Sequence, residues 1–228
     1  IHFKRGIYRL KSQLVKNIIG IGMSPFSMNV CACFVVIIIN NSLVDHGGDM
    51  AVGAYGIINR IVFIFVMITI GVNQGMQPIA GYNYGAMKFD RMMRVLKYAV
   101  ICGTCVTTVG FIVGQFFPEQ CVRLFTSDET LISLSVHAMR LTTVSFPIIG
   151  FQMVVANFFQ SIGKAKVSVF LSLSRQLVFL IPMLLVLPTL YGVDGVWYSM
   201  PVADTISALV TAIIMYLFMR KINKQKTI

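Results

Sequence analysis

Three charged residues stand inside otherwise apolar stretches of this sequence: Arg60, Arg175 and Asp204. A charge at the centre of a bilayer costs ~2.5–3.5 kcal/mol on insertion scales, so unpaired, lipid-facing placement is disfavoured. From Lys166 to Arg175 is nine residues, or about 14 Å of helix rise. From Asp194 to Asp204 is ten residues, about 15 Å in the opposite direction. The two side chains therefore share a depth on antiparallel helices, and the spacing predicts that they meet. Arg60, eleven residues and about 16 Å beyond Asp49, is expected to join them in one intramembrane charge network. Such a network is either a static structural ion pair or a gate or proton-linked switch.

A second group is amidic. Asn29, Asn59, Gln74, Gln77, Gln152, Asn157 and Gln160 recur within the apolar runs. Buried amides either glue helices together, at ~0.6–2 kcal/mol each, or line a wet cavity. Their number favours a cavity. Met23, Met28, Phe151 and Met153 are the candidates for an adaptable apolar wall in it. Chemistry of other kinds is not indicated. Cys102 and Cys105 have CxxC spacing but fall in an apolar helix without a second pair, so they read as small packing residues. No HExxH, GxSxG or P-loop spacing is present, and neither an enzyme, a metal site nor a cofactor is expected.

The elements that must hold these residues follow from composition. The chain has 228 residues, of which 57% are hydrophobic and 12% charged, about half the charged share of a soluble domain. Its mean hydropathy is +0.80. A soluble fold of this size could not hide so much apolar surface, so an all-α integral membrane protein in a lipid bilayer is expected. Long apolar runs predict six transmembrane helices, at about 17–44, 50–84, 95–118, 136–162, 165–188 and 193–219, between a basic lead-in (1–16) and a basic tail (220–228). Alternating barrel strands are not seen.

The net charge of +11 does not point to nucleic acid, because the basic residues are not gathered in one patch. Fifteen Lys and Arg fall in residues 1–16, 88–97, 164–166 and 220–226, against Arg123 and Arg140 in the intervening loops. By the positive-inside rule both termini of this multi-pass membrane protein are cytoplasmic. His46-Gly47-Gly48-Asp49 predicts a tight turn between the first two spans, and Thr126-Ser127-Asp128-Glu129 a capping box opening a helix. The sequence opens on Ile1 rather than Met, which suggests a fragment.

Three stretches resemble one family. Gly71-Val-Asn-Gln-Gly-Met-Gln-Pro-Ile-Ala-Gly-Tyr-Asn-Tyr-Gly-Ala86 resembles the end of the eighth helix of multidrug and toxic compound extrusion (MATE) transporters. Ala156-Asn-Phe-Phe-Gln-Ser-Ile-Gly-Lys164 is similar to their tenth helix. Ser174-Arg-Gln-Leu-Val-Phe-Leu-Ile-Pro182, Gly192-Val-Asp-Gly-Val-Trp197 and Pro201-Val-Ala-Asp204 are similar to the last two. The resemblance implies a six-transmembrane-helix bundle forming one lobe of a twelve-helix transporter, with about 14–220 matching helices seven to twelve. It further implies efflux of small cationic amphipathic drugs by H⁺ or Na⁺ antiport, with an N-terminal six-helix lobe as partner. One departure matters. The first and fourth spans lack the carboxylates of one branch's ion site, so the coupling ion has no assigned residues here. Two alternatives stand beside this reading: half of a lipid-linked oligosaccharide flippase, which would favour more intramembrane Arg and Lys, and a six-helix channel or membrane scaffold.

Overall fold

The computed structural model describes residues 12–226, with the side chains at 14, 16–25, 27 and 223–226 outside the described set. Helix α1 (12–47) runs to Gly48, whose φ of 66° and ψ of −168° lie in a region open essentially to glycine alone. Helix α2 (49–85) then folds back along α1. Ala32 and Val66 face one cavity although a straight helix would hold them about 51 Å apart. The turn expected at His46–Asp49 thus falls on Gly48.

Five further helices follow: α3 (Phe89–Phe116), α4 (Pro118–Arg123), α5 (Glu129–Thr143), α6 (Phe146–Ser161) and, beyond a turn at Gly163, α7 (Ala165–Tyr191). Gly192 (φ 59°) separates α7 from the last helix, α8 (Val193–Lys226). No strand occurs among the described residues. Met28–Gly85, Phe89–Phe116, Ala165–Tyr191 and Val193–Ile222 are each long and apolar enough to cross a membrane. The first contains the Gly48 fold-back, and α5 with α6, bent by 53° at their break, passes the same test as a pair. The result is an all-α membrane bundle of six passes.

Three local details depart from expectation. Asp128, rather than Thr126, caps α5: its Oδ1 accepts from the backbone N–H of Thr130 (2.8 Å) and Leu131 (3.2 Å). A carboxylate there satisfies two orphan donors and meets the positive end of the helix dipole. The fourth span, expected as one helix over 136–162, is broken at Val144–Ser145, with Pro147 in the first turn of α6. Proline fits the first turn of a helix and disfavours helical geometry just before it. Helix α7 passes through a π-helical stretch, Ser174–Leu180, just ahead of Pro182. Pro182 lacks the N–H that would bond to Val178, and the ladder widens upstream of that gap.

Two apolar clusters hold the bundle. At the Gly48 end, Leu43, Ile58, Met139, Leu184 and Trp197 are buried together. At the opposite end, Met92, Val154, Phe158, Phe159, Leu171 and Phe218 form the second. Beside the cavity-facing Thr107, α3 and α6 cross so closely that a Cβ on Gly150 would run into the Thr107 hydroxyl and lie 2.6 Å from the Gly103 carbonyl oxygen. Only glycine allows that approach. The functional side chains lie between these clusters.

Candidate functional site

Asp204 sits one turn past Pro201 on α8 and is 5% exposed. Its Oδ1 accepts from Arg175 Nε at 2.6 Å, and its Oδ2 from the Ser145 hydroxyl at 3.1 Å. Each partner comes from a helix irregularity: Arg175 from the π-helical stretch of α7, Ser145 from the break between α5 and α6. Broken backbone ladders are tolerated at membrane depth where protein or a cavity satisfies the freed groups. Two such irregularities converge on one carboxylate.

The pair is unequal. The Asp204 side chain is 7% exposed and that of Arg175 33%. Arg175 approaches with Nε alone rather than with the two-pronged face that makes the strongest arginine–carboxylate contacts. Both residues line a cavity of about 310 Å³ between α1, α2 and the breaks. Its remaining wall is mostly apolar, with Val35, Ile39, Tyr55, Ile58, Phe65, Phe146 and Leu180 prominent. The polar members are Asn59, Thr107, Thr142 and Gln176. Thr107 donates to the carbonyls of Gly103 and Thr104, and Thr142 to those of Ala138 and Met139. Their hydroxyl protons are thereby engaged within their own helices. Gln176 Oε1 is buried without a hydrogen-bond partner. Apolar walls with a few convergent polar groups are the usual make-up of a small-molecule site.

The structure brings Arg175 and Asp204 together as their spacing predicts, but Arg60 does not join them. It is exposed, and the α2 residues facing the cavity (Tyr55, Ile58, Asn59, Val62, Phe65 and Val66) lie on the other side of the helix. Depth along a helix was readable from spacing; azimuth at 100° per residue separates Arg60 from Asn59. Of the expected wall residues, Asn59 and Met153 line the cavity. Gln77 Nε2 instead donates to Asn157 Oδ1 at 3.3 Å, and Gln152 Nε2 to Ser207 Oγ, so these amides join helices. Phe151 packs against the Phe158 cluster, while Met28 is half-buried away from the cavity. Asn29, Gln74 and Gln160 are exposed, and the Met23 side chain lies outside the described residues. Ser145, Thr107, Thr142 and Gln176 were not anticipated. The signal for Ser145 was its place two residues before Pro147, where a new helix starts.

At the Gly48 end, Arg123 bonds Glu119 and Glu129, each at 2.9 Å, and these two contacts raise its pKa above the ordinary arginine value. His137 Nε2 lies 3.0 Å from Asp194 Oδ1. All are solvent-exposed and remote from the cavity, where such pairs contribute little.

The fold has known relatives. A model of the MatE family matches residues 25–186. The Staphylococcus aureus multidrug export protein MepA is 26–27% identical over 205–213 residues, 90% of this chain and 45% of that protein. The structure of the MATE multidrug transporter DinF-BH in complex with R6G superposes with a TM-score of 0.81 at 36% identity, covering 95% of this chain and 48% of that one. Outward-facing and inward-facing structures of a MATE family transporter of the MOP superfamily both score 0.86, at 18% and 20% identity and about half of their length. The chain spans about half the length of the relatives it matches. A match over more than half of its own residues, on a six-pass bundle with the same fold, establishes that the chain belongs to the MatE family of transporters.

Proposed function

We propose that this chain is the C-terminal half of a secondary active exporter of cationic, amphipathic drugs and toxins, driven by inward H⁺ or Na⁺ movement. The observation that carries the reading is the cavity: an apolar chamber whose wall holds a buried carboxylate, Asp204. Aromatic and aliphatic walls desolvate a greasy body, and the Asp204 carboxylate, once parted from Arg175, can pair with its charge. A lobe fold common to outward-facing and inward-facing relatives suits a bundle that rocks as a unit against a second one. The second bundle is the N-terminal six-helix lobe, and the coupling residues lie there or at Asp204. The protein sits in the bacterial inner membrane with both termini cytoplasmic, as the basic-residue asymmetry requires.

Proteoliposomes holding this chain with its N-terminal half should expel ethidium under an inward H⁺ or Na⁺ gradient and stop when the gradient is collapsed. The chain alone should not. Gradient-driven export by a demonstrated monomer of 1–228 would overturn the half-transporter reading, and export by both halves that ignores either gradient would overturn antiport. Single cysteines replacing Asp49 and Lys88 in a cysteine-free background should label from opposite sides of the membrane.

A further inference from the structure

We propose that Arg175 is a tethered stand-in for the cationic group of the substrate, and that a substrate cation entering the cavity displaces it from Asp204. The inference rests on the preceding reading that the cavity takes amphipathic cations. It concerns what occupies Asp204 when none is bound.

Four observations point the same way. A carboxylate buried in the membrane must keep a counter-charge, and both Asp204 oxygens are already engaged, one by Arg175 and the other by Ser145. A second cation added beside Arg175 would leave the buried site with an uncompensated positive charge, so a substrate cation takes the place of Arg175 rather than joining it. The arginine is also the loosely held partner: it is attached through Nε alone, makes no other hydrogen bond among the described residues, and is one-third exposed against 7% for the aspartate. Its backbone is the π-helical stretch Ser174–Leu180. Returning the extra residue of a π turn to α register rotates a side chain by about 100°, enough to carry a guanidinium off its acceptor. Finally, the wall offers acceptors. Gln176 Oε1 is buried and unpartnered, and the Thr107 and Thr142 hydroxyls, with their protons committed to helix carbonyls, present lone pairs. Such a lining receives a cation once Arg175 has swung aside.

The exchange keeps the buried charge constant. Asp204 is neutralised by Arg175 in the empty lobe and by the substrate in the loaded one, so neither state carries a bare carboxylate across the membrane. Recognition and conformational change are then one event, because the group that is displaced is anchored on the irregular stretch of α7.

The test is cation binding by the 228-residue chain in detergent, titrated calorimetrically with tetraphenylphosphonium. Arg175→Gln removes the competitor and should bind at least about tenfold more tightly than the native chain. Asp204→Asn, and the double variant, should lose binding. If the native chain binds and Arg175→Gln binds no more tightly, the displacement is wrong while the cavity reading stands. If neither binds, the cavity reading fails as well. A measurement on the native protein covers the case in which Arg175→Gln does not fold. Phenylglyoxal modification of Arg175, followed by peptide mass spectrometry, should accelerate at saturating tetraphenylphosphonium as the guanidinium is expelled. Protection of Arg175 by the ligand would overturn the proposal.

Discussion

Around Phe158 the bundle is closely packed. The Phe158, Phe159 and Phe218 rings pack edge to face at 5.3–6.0 Å, and the glycines of α3 and α6 let the two backbones touch. Lys164 closes this end with its ammonium 4.1 Å from the Phe218 ring centre, and burial, then the nearby Lys221, lowers its pKa below the ordinary lysine value. Around Asp204 the same six passes enclose a chamber instead. The helices are regular where the core is closely packed and irregular where it is hollow: the break at Ser145, the π stretch at Arg175 and Pro201 all fall near the carboxylate. A regular helix satisfies its own backbone and presents only side chains, which suits close packing. An interrupted one turns polar groups inward, and these need a partner. In this lobe that partner is an ion pair with room beside it.

The contrast can be broken most severely at the ion pair. Arg175→Leu or Asp204→Leu alone should destabilise the lobe by ~3–5 kcal/mol, and the double substitution by clearly less than the sum. Reversible unfolding in bicelles measures both, and additive losses would remove the energetic coupling between the two residues.

At the α3–α6 crossing the sensitive point is steric. Gly150→Ala drives a methyl into the Thr107 hydroxyl and the Gly103 carbonyl and should cost about 1–3 kcal/mol, as overpacking does. The same substitution at Gly56, where a Cβ would meet nothing within 4 Å, should be nearly silent. Equal thermal stabilities for the two variants would show that the α3–α6 crossing is looser than it looks.

Ser145→Ala sharpens the polar side. It removes one donor from Asp204 and leaves Arg175 in place, so the expected loss is ~1.5–3 kcal/mol, the worth of a hydrogen bond to a charged group. A loss as large as that of Arg175→Leu would make the helix break, rather than the salt bridge, the keystone of the site. The smallest effect belongs to the amide contact remote from the cavity. The coupling energy between Gln77→Leu and Asn157→Leu should be ~0.6 kcal/mol, typical of a hydrogen bond between membrane helices. A double-mutant cycle that gave more than about 2 kcal/mol would place that pair in the functional network too.

Several properties were legible in the residues without any coordinates. Hydropathy dictated a membrane bundle, because no soluble packing could bury so many apolar side chains. The Gly48 turn followed from its His-Gly-Gly-Asp context, and the family from the Gly71–Ala86 and Ser174–Asp204 stretches. The Arg175–Asp204 contact could be anticipated because a charge in hydrocarbon needs a partner and rise per residue gives its depth. What only the tertiary structure decided is azimuth and local register. Arg60 has a comparable depth and faces elsewhere, while Gln77 and Gln152 were as eligible for the cavity as Asn59 and became ties between helices. The break at Ser145 and the π stretch depend on how six neighbouring helices share space with Pro147 and Pro182. A sequence specifies where along a helix a side chain lies; which way that helix is turned is settled by everything packed against it.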